Sequence, residues 1–237
     1  MSDSLDLHRT LHSINWQSKD RLDDYELTFD YIFKIDIQEC YEHIADIYQL
    51  ILPIDEVAKA ARFKKIEDFK RFLCARYSLR IILSAFLNIK SSEIVFKFGI
   101  YNKPYLDGID FNLSHCGDFV VIAVSETPVG IDIELIKDNF NFMSILPFSF
   151  TKSEITKIEN DSNPCKLFYW LWTRKEALLK ATGEGIIDNM DEVSVLENKI
   201  YRLKQTYNLI SFEINKDYMA CFVSSSEKRI KFIDLNF

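Results

Sequence analysis

Two stretches of this chain carry the same order of elements, and that repeat narrows the possible folds more than any single residue does. Phe72–Leu83 and Trp170–Ala181 both read as parts of long helices carrying aromatic and basic residues. Each is followed by a strand, a turn and a strand, Phe111–Ser125 in one case and Phe212–Ser225 in the other. Residue identity between the copies is low, but their order is kept, as in a duplicated αβ unit. The expectation is an α+β chain built as a pseudo-twofold pair of similar αβ subdomains, 1–127 and 128–237. Its ligand site would lie in the cleft between the copies, where pockets often form.

The stretch where one copy hands over to the next, Pro128–Glu134, reads Pro-Val-Gly-Ile-Asp-Ile-Glu. Ile131 and Ile133 alternate with Asp132 and Glu134, the two-residue period of a strand with unlike faces. Both carboxylates then share one side, roughly 7 Å apart along the strand. Carboxylates held that close repel unless a proton or cation intervenes. Hard oxygen donors in this pattern suit Mg²⁺, which takes one or two carboxylates and completes its shell with water and phosphate. The plainer reading is a solvated acidic edge, so the rest of the chain must supply phosphate-binding groups.

Composition excludes several classes. At 237 residues and 48% hydrophobic, the chain can bury a substantial core. No apolar run approaches the ~20 residues of a membrane helix, and Met1–Asp24 has no basic-then-apolar leader pattern. Five scattered cysteines without CxxC spacing point to reduced thiols in a cytoplasm. A net charge of −7 speaks against nucleic acid as a general partner.

Along the chain, Tyr25–Ile37 reads as a first strand and Glu39–Leu52 as a helix stopping before Pro53. His8 and His12 stand at i,i+4 spacing with no third ligand nearby, the pattern of a surface helix or tail. Pro53–Leu87 is mostly helical and unusually basic, with Lys59, Lys64, Lys65, Lys70, Arg71, Arg76 and Arg80. Such local cationic density on an acidic protein marks where an anion can be drawn in. Ile94–Tyr101 alternates as a strand and leads into Asn102-Lys103-Pro104, a proline-fixed turn. Phe111–His115 and Phe119–Ser125 form a hairpin carrying Ser114 and His115. Adjacent strand residues face opposite ways, so these two do not make a nucleophile–base pair. Lys137–Ser149 reads as a loop, and Thr151 with Glu154 matches a capping box. Cys165–Gly183 is the clearest helix of the second half, and in it Trp172, Glu176 and Lys180 share a face. A flexible Gly183-Glu184-Gly185 loop follows, and strands run through Ile210–Ile214 and Tyr218–Ser224.

Four motifs now stand in order: Asn-Lys-Pro at 102–104, Phe-Asn-Leu-Ser-His at 111–115, Gly-Ile-Asp-Ile-Glu at 130–134 and Trp-Thr-Arg-Lys-Glu-Ala-Leu-Leu-Lys at 172–180. Over roughly residues 50–225 the chain resembles the Sfp-type 4′-phosphopantetheinyl transferases, in their Trp-x-x-Lys-Glu-Ala form. The resemblance implies an enzyme that moves the phosphopantetheine arm of coenzyme A to a serine of an apo acyl or peptidyl carrier protein. Adenosine 3′,5′-bisphosphate is the other product. It implies a monomer of two similar halves with coenzyme A between them, serving fatty acid, polyketide or nonribosomal peptide synthesis. Carried over by position, Asp132, Glu134 and Glu176 hold Mg²⁺ against the pyrophosphate, and Lys180 contacts that same group. Ser114, His115 and Lys59 meet the 3′-phosphate, while Lys103 and Pro104 lie along the adenine and its phosphate. Glu176, directly or through a metal-bound water, is the choice for the serine's proton acceptor.

Two positions depart from the family pattern. Asn102 stands where glycine is usual, a change asparagine's tolerance of left-handed backbone allows. Phe72 stands where some members have a small hydroxyl residue on the 3′-phosphate, so that contact must come from elsewhere, with Arg71 a candidate. The alternative reading is a non-catalytic module that binds coenzyme A or a carrier. A different Mg²⁺-dependent phosphotransferase is disfavoured by the lack of a P-loop pattern. An acidic carrier would need a local basic or apolar patch, such as Lys64, Lys65 and Lys70 or the Asn139–Phe150 loop.

Overall fold

A computed structural model describes residues 11–19, 22, 25–99, 101–185 and 187–237. The expectations for Met1–Thr10, including His8, lie outside the described residues. In chain order the strands are β1 (Leu11–His12), β2 (Gln17–Lys19), β3 (Asp30–Asp36), β4 (Lys97–Phe98), β5 (Pro104–Tyr105) and β6 (Asp110–Cys116). They continue as β7 (Phe119–Ser125), β8 (Val129–Leu135), β9 (Lys199–Arg202), β10 (Gln205–Asn215), β11 (Tyr218–Ser224) and β12 (Ile230–Leu235). The helices are α1 (Ile37–Ile44), α2 (Ile54–Ala60), α3 (Ile66–Leu87), α4 (Leu146–Ser149), α5 (Lys152–Asn160) and α6 (Pro164–Thr182).

These elements form two compact units. The N-terminal unit has a sheet in the order β2-β12-β3-β7-β6, and the C-terminal unit one in the order β1-β10-β11-β8, with β9 on β10. The chain passes from one unit to the other at Thr127, and its ends pair outside their own half of the sequence. Thus β1 runs parallel to β10 in the C-terminal unit, while β12 runs parallel to β3 in the N-terminal unit. The duplication expected from sequence is visible as shared connectivity. A strand (β3 or β8) precedes a long helix (α3 or α6), and a hairpin follows (β6–β7 or β10–β11) whose second strand pairs with the first strand.

Each core follows from that arrangement. In the N-terminal unit Tyr31, Phe33 and Ile35 of β3 join Leu73, Tyr77 and Leu83 of α3 and Ile122 and Val124 of β7 in one apolar cluster. In the C-terminal unit Leu167, Leu171 and Leu178 of α6 pack with Leu209 of β10 and Met219, Cys221 and Val223 of β11. Tight ends frame the helices. Thr151 and Glu154 make the full reciprocal capping box at α5, and Gly183 closes α6 in the left-handed conformation at φ 72°.

Several expectations need correction. The first strand starts at Asp30, five residues later than the alternation from Tyr25 suggests, and Tyr25 instead stacks at 5.0 Å on Phe86. The helix after it ends at Ile44, with a 3₁₀ turn at Tyr48–Leu50 before Pro53. Pro53–Leu87 is mostly helical as expected, as two helices separated by residues 61–65. Ile94–Tyr101 keeps only a two-residue strand, and 137–149 contains the short α4. His12 lies in a strand, its Nδ1 3.4 Å from the Ser211 carbonyl oxygen.

Candidate active site

The sequence places Asp132 and Glu134 on one face of β8; the structure shows what that face meets. Gly130 shares it, being two residues before Asp132. A Cβ added to Gly130 would lie 2.0 Å from the Ala177 carbonyl oxygen and 2.5 Å from the Ala181 nitrogen. So α6 runs against this face of β8, and only a glycine lets its backbone come that close. The acidic pair therefore points to a helix rather than into open solvent, and Asp132 is only 4% exposed. The helix-facing positions of the equivalent strand β3 hold Tyr31, Phe33 and Ile35. One copy fills that space with apolar side chains, and the other places two carboxylates there.

Four residues at i,i+4 spacing, Phe168, Trp172, Glu176 and Lys180, form one ridge of α6. Its first half is aromatic: Trp172 stacks on Phe168 at 6.0 Å, and both rings pack on Phe150. Its second half is polar. Lys180 Nζ donates to Asp132 Oδ1 at 2.7 Å and to the Ile131 carbonyl at 3.2 Å. Glu176 stands one turn earlier, and its carboxyl titrates above the usual carboxylate range. Burial is the main cause, the negative charge of Asp132 adds to it, and Lys180 partly offsets both. The carboxyls of Asp132 and Glu176 are thus electrostatic neighbours, with the Lys180 ammonium beside them.

A second lysine lies along the same strand. Lys103 Nζ donates to the Val129 carbonyl at 3.2 Å, two residues before the carbonyl that receives Lys180. Because β8 ends its sheet order, these carbonyls take lysine ammonium groups, spaced roughly 7 Å by the strand rise. The turn that delivers Lys103 uses Asn102 at φ 58°, the left-handed backbone that the departure from glycine requires. Lys180 therefore stands beside Asp132 and Glu176, Lys103 reaches the same strand two residues earlier, and Glu134 lies two residues beyond Asp132 on the same face of β8.

Lys59, Pro104, Ser114 and His115 belong to the N-terminal unit. Ser114 and His115 are successive residues of β6; Ser114 is buried and His115 exposed, so they face opposite sides of the sheet. That arrangement rules out a serine–histidine nucleophile pair. Pro104 pairs with Phe98 in the short β4–β5 ladder. Lys59 is exposed on α2 with its ammonium 5.4 Å from the centre of the Phe72 ring. Arg71, considered from sequence as a phosphate contact, is engaged with Asp68 at 2.7 Å and with the Gly117 carbonyl.

Two residues inside the Trp-x-x-Lys-Glu-Ala motif turn away from the ridge. Lys175 is 1% exposed and pairs at 2.9 Å with Glu154, itself fully buried. It also donates to the carbonyls of Met190 and Val193. Glu154 accepts from the backbone N–H groups of Thr151 and Val195, both at 2.8 Å. Arg174, also fully buried, reaches the carbonyls of Val195 and Glu197 at 2.6 Å and Ser211 Oγ at 3.1 Å. These cations tie the 190–198 segment to α6, contacts that sequence reasoning missed. The loop after α6 is also restrained, since Arg202 holds Glu184 through two bonds of 2.6 and 2.8 Å.

Among the described residues no three His, Cys, Asp or Glu side chains come together as a metal-binding group. The donor set on β8 and α6 is nonetheless all carboxylate oxygen. It fits an ion such as Mg²⁺ that needs only one or two protein carboxylates and draws its other ligands from water and phosphate.

Comparison with known proteins identifies the family of the chain. The model of the 4′-phosphopantetheinyl transferase superfamily matches residues 128–224, and that of the 4′-phosphopantetheinyl transferase N-terminal region matches 39–127. The 4′-phosphopantetheinyl transferase HetI of Nostoc is 31% identical over 174 residues, 70% of this chain and 73% of the relative. Sfp of Bacillus subtilis is 30% identical over 174 residues, 71% of this chain and 74% of its own. A Synechocystis relative that carries the transferase name provisionally is 33% identical over 159 residues, 64% of this chain and 65% of its own length. The chain belongs to the 4′-phosphopantetheinyl transferase superfamily. It is accordingly a group-transfer enzyme, of a family whose substrates are coenzyme A and a carrier protein.

Proposed function

We propose that the carboxylates and lysines on β8 and α6 carry the transfer itself, with Mg²⁺ as the resident ion. The single observation behind this reading is the Lys180–Asp132 contact at 2.7 Å beside a Glu176 carboxyl raised in pKa by burial and by Asp132. Asp132, Glu134 and Glu176 are the residues that would hold the metal. When bound, the ion supplies positive charge where the pyrophosphate gains negative charge.

The chain's own groups have distinct tasks. Lys180, and Lys103 on the neighbouring carbonyl, bring fixed positive charge to the pyrophosphate and the adenine-side phosphate. The carrier's serine oxygen forms a bond to the phosphorus that bears the pantetheine arm. The P–O bond to the other phosphate breaks, and adenosine 3′,5′-bisphosphate leaves with that electron pair. Glu176 takes the serine proton, its carboxyl standing beside Asp132 and Lys180. In the N-terminal unit, Lys59, Ser114 and His115 are assigned to the 3′-phosphate and Pro104 to the adenine. The same reading has the protein act as a monomer in the cytoplasm, with no nucleic acid or membrane partner. Five cysteines as free thiols fit a cytoplasm, and a net charge of −7 disfavours nucleic acid.

The test is to incubate the protein with coenzyme A, an apo carrier and either Mg²⁺ or a chelator, and then weigh the carrier by mass spectrometry. A gain of the phosphopantetheine mass that needs Mg²⁺ and is lost in Glu176→Gln is the expected result. No gain across a panel of acyl and peptidyl carriers would favour the non-catalytic binding module instead. Gain that survives chelation removes the metal from the scheme.

A further inference from the structure

Helices α2 and α3 form an antiparallel hairpin whose contacts line up as successive rungs. At one end Glu56 of α2 takes Arg76 at 2.5 Å and Arg80 at 3.0 Å, both from α3. Glu56 is largely buried, and the two guanidinium groups outweigh that burial to hold its carboxyl below the usual range. At the other end Phe63, just past α2, packs on Phe72 of α3 with ring centres 5.4 Å apart. Lys59 lies between these rungs, one turn after Glu56, and its ammonium sits 5.4 Å from the centre of the Phe72 ring. Glu56 thereby sets the register of α2, and the register sets Lys59 over the aromatic face.

We infer that Phe72 is a positioning residue, holding the Lys59 ammonium by a cation–π contact so that this lysine can meet the 3′-phosphate of coenzyme A. The inference rests on the proposed assignment of Lys59 to that phosphate. It accounts for a bulky ring at a place where a hydroxyl would touch the phosphate directly. A phenyl ring has no donor for a phosphate, but its negative face attracts an ammonium. A long exposed lysine otherwise spreads over many rotamers, and ordering it on ligand binding costs affinity. Fixing it beforehand lowers that cost. Arg76 and Arg80 are taken up by Glu56, whereas Lys59, one turn after it, is exposed. Arg71, the other candidate, is engaged with Asp68 and with the turn carbonyl of Gly117.

The experiment compares coenzyme A with 3′-dephospho-coenzyme A, taking Kd by calorimetry and KM and kcat with an apo carrier. It uses wild type, Phe72→Leu, Phe72→Tyr, Lys59→Met and the Lys59→Met/Phe72→Leu double variant, with thermal unfolding to show that each is folded. Phe72→Leu should weaken binding of coenzyme A about two- to fivefold, the range of an exposed cation–π contact. Its kcat, and its affinity for the dephospho compound, should not move. Phe72→Tyr should keep wild-type discrimination, and in the Lys59→Met background Phe72→Leu should add nothing. A wild type that discriminates while Phe72→Leu weakens both ligands equally, or adds fully to Lys59→Met, overturns the role of Phe72 alone. A wild type that binds both ligands alike overturns the assignment of Lys59 and this inference with it. Absence of transfer with unchanged ligand discrimination strikes the catalytic reading and leaves the Lys59–Phe72 pair standing.

Discussion

Gly130→Ala is the sharpest single perturbation of this site, because it acts on packing without touching any charged group. The glycine has no left-handed φ, so alanine meets no backbone strain there. At an open position of that kind the change would stabilise the protein by about 0.4–1 kcal/mol through the unfolded chain. Here the new Cβ falls 2.0 Å from the Ala177 carbonyl oxygen, whereas ordinary contact begins at 3.4 Å. Relief needs a movement of about 1.4 Å, and the atoms in the way are helix backbone, which cannot rotate aside. We expect a destabilisation near the upper end of the usual overpacking range, about 3 kcal/mol. For a chain of this size that is a fall in Tm of roughly 6–12 °C. Moving α6 off β8 also carries Glu176 and Lys180 away from Asp132, and ~1 Å of misplacement can cost about 10²-fold in rate. Scanning calorimetry and the carrier-mass assay measure the two effects. A variant with unchanged Tm and unchanged rate would refute the claim that close approach of α6 to β8 builds the site.

Two further substitutions test the electrostatics. Glu176 has a folded pKa raised above its unfolded value, so its proton favours the fold at acid pH and that contribution is lost as pH rises through the folded pKa. Glu176→Gln, which stays neutral, should therefore be more stable than wild type at neutral pH and lose that advantage toward pH 4–5. Urea midpoints across the pH range read this directly, and a less stable variant at neutral pH would contradict it. Lys175→Met leaves the Glu154 carboxylate buried without its ammonium, a loss of about 3–5 kcal/mol. Adding Glu154→Gln should recover much of it in the same unfolding assay, and full additivity of the two changes would show that the pair is not coupled.

Much of the fold was legible because local chemistry repeats with local geometry. The two-residue period of Gly130–Glu134 put Asp132 and Glu134 on one face, and the four-residue period of α6 aligned Trp172, Glu176 and Lys180. Thr151 with Glu154 marked a helix start and Gly183 a helix end, since each satisfies backbone groups within its own turn. Strand and helix limits depart from the pattern where tertiary contacts override it. Tyr25 belongs to an aromatic cluster with Phe86 instead of to β3, and Ile94–Tyr101 pairs over only two residues.

What the sequence by itself determined is which residues share a face, because periodicity is a property of the backbone alone. It could not say what lies against that face, because the partner is distant in the chain. Only the tertiary structure shows that Gly130 admits α6, that Asp132 meets Lys180 from 48 residues away, and that Lys175 turns inward to Glu154 while Glu176 beside it does not. The same holds for the ends of the chain, where β1 pairs with β10 and β12 with β3, across nearly the whole length of the sequence. A short strand has no pattern strong enough to choose its partner; the open edge of a folded sheet makes that choice.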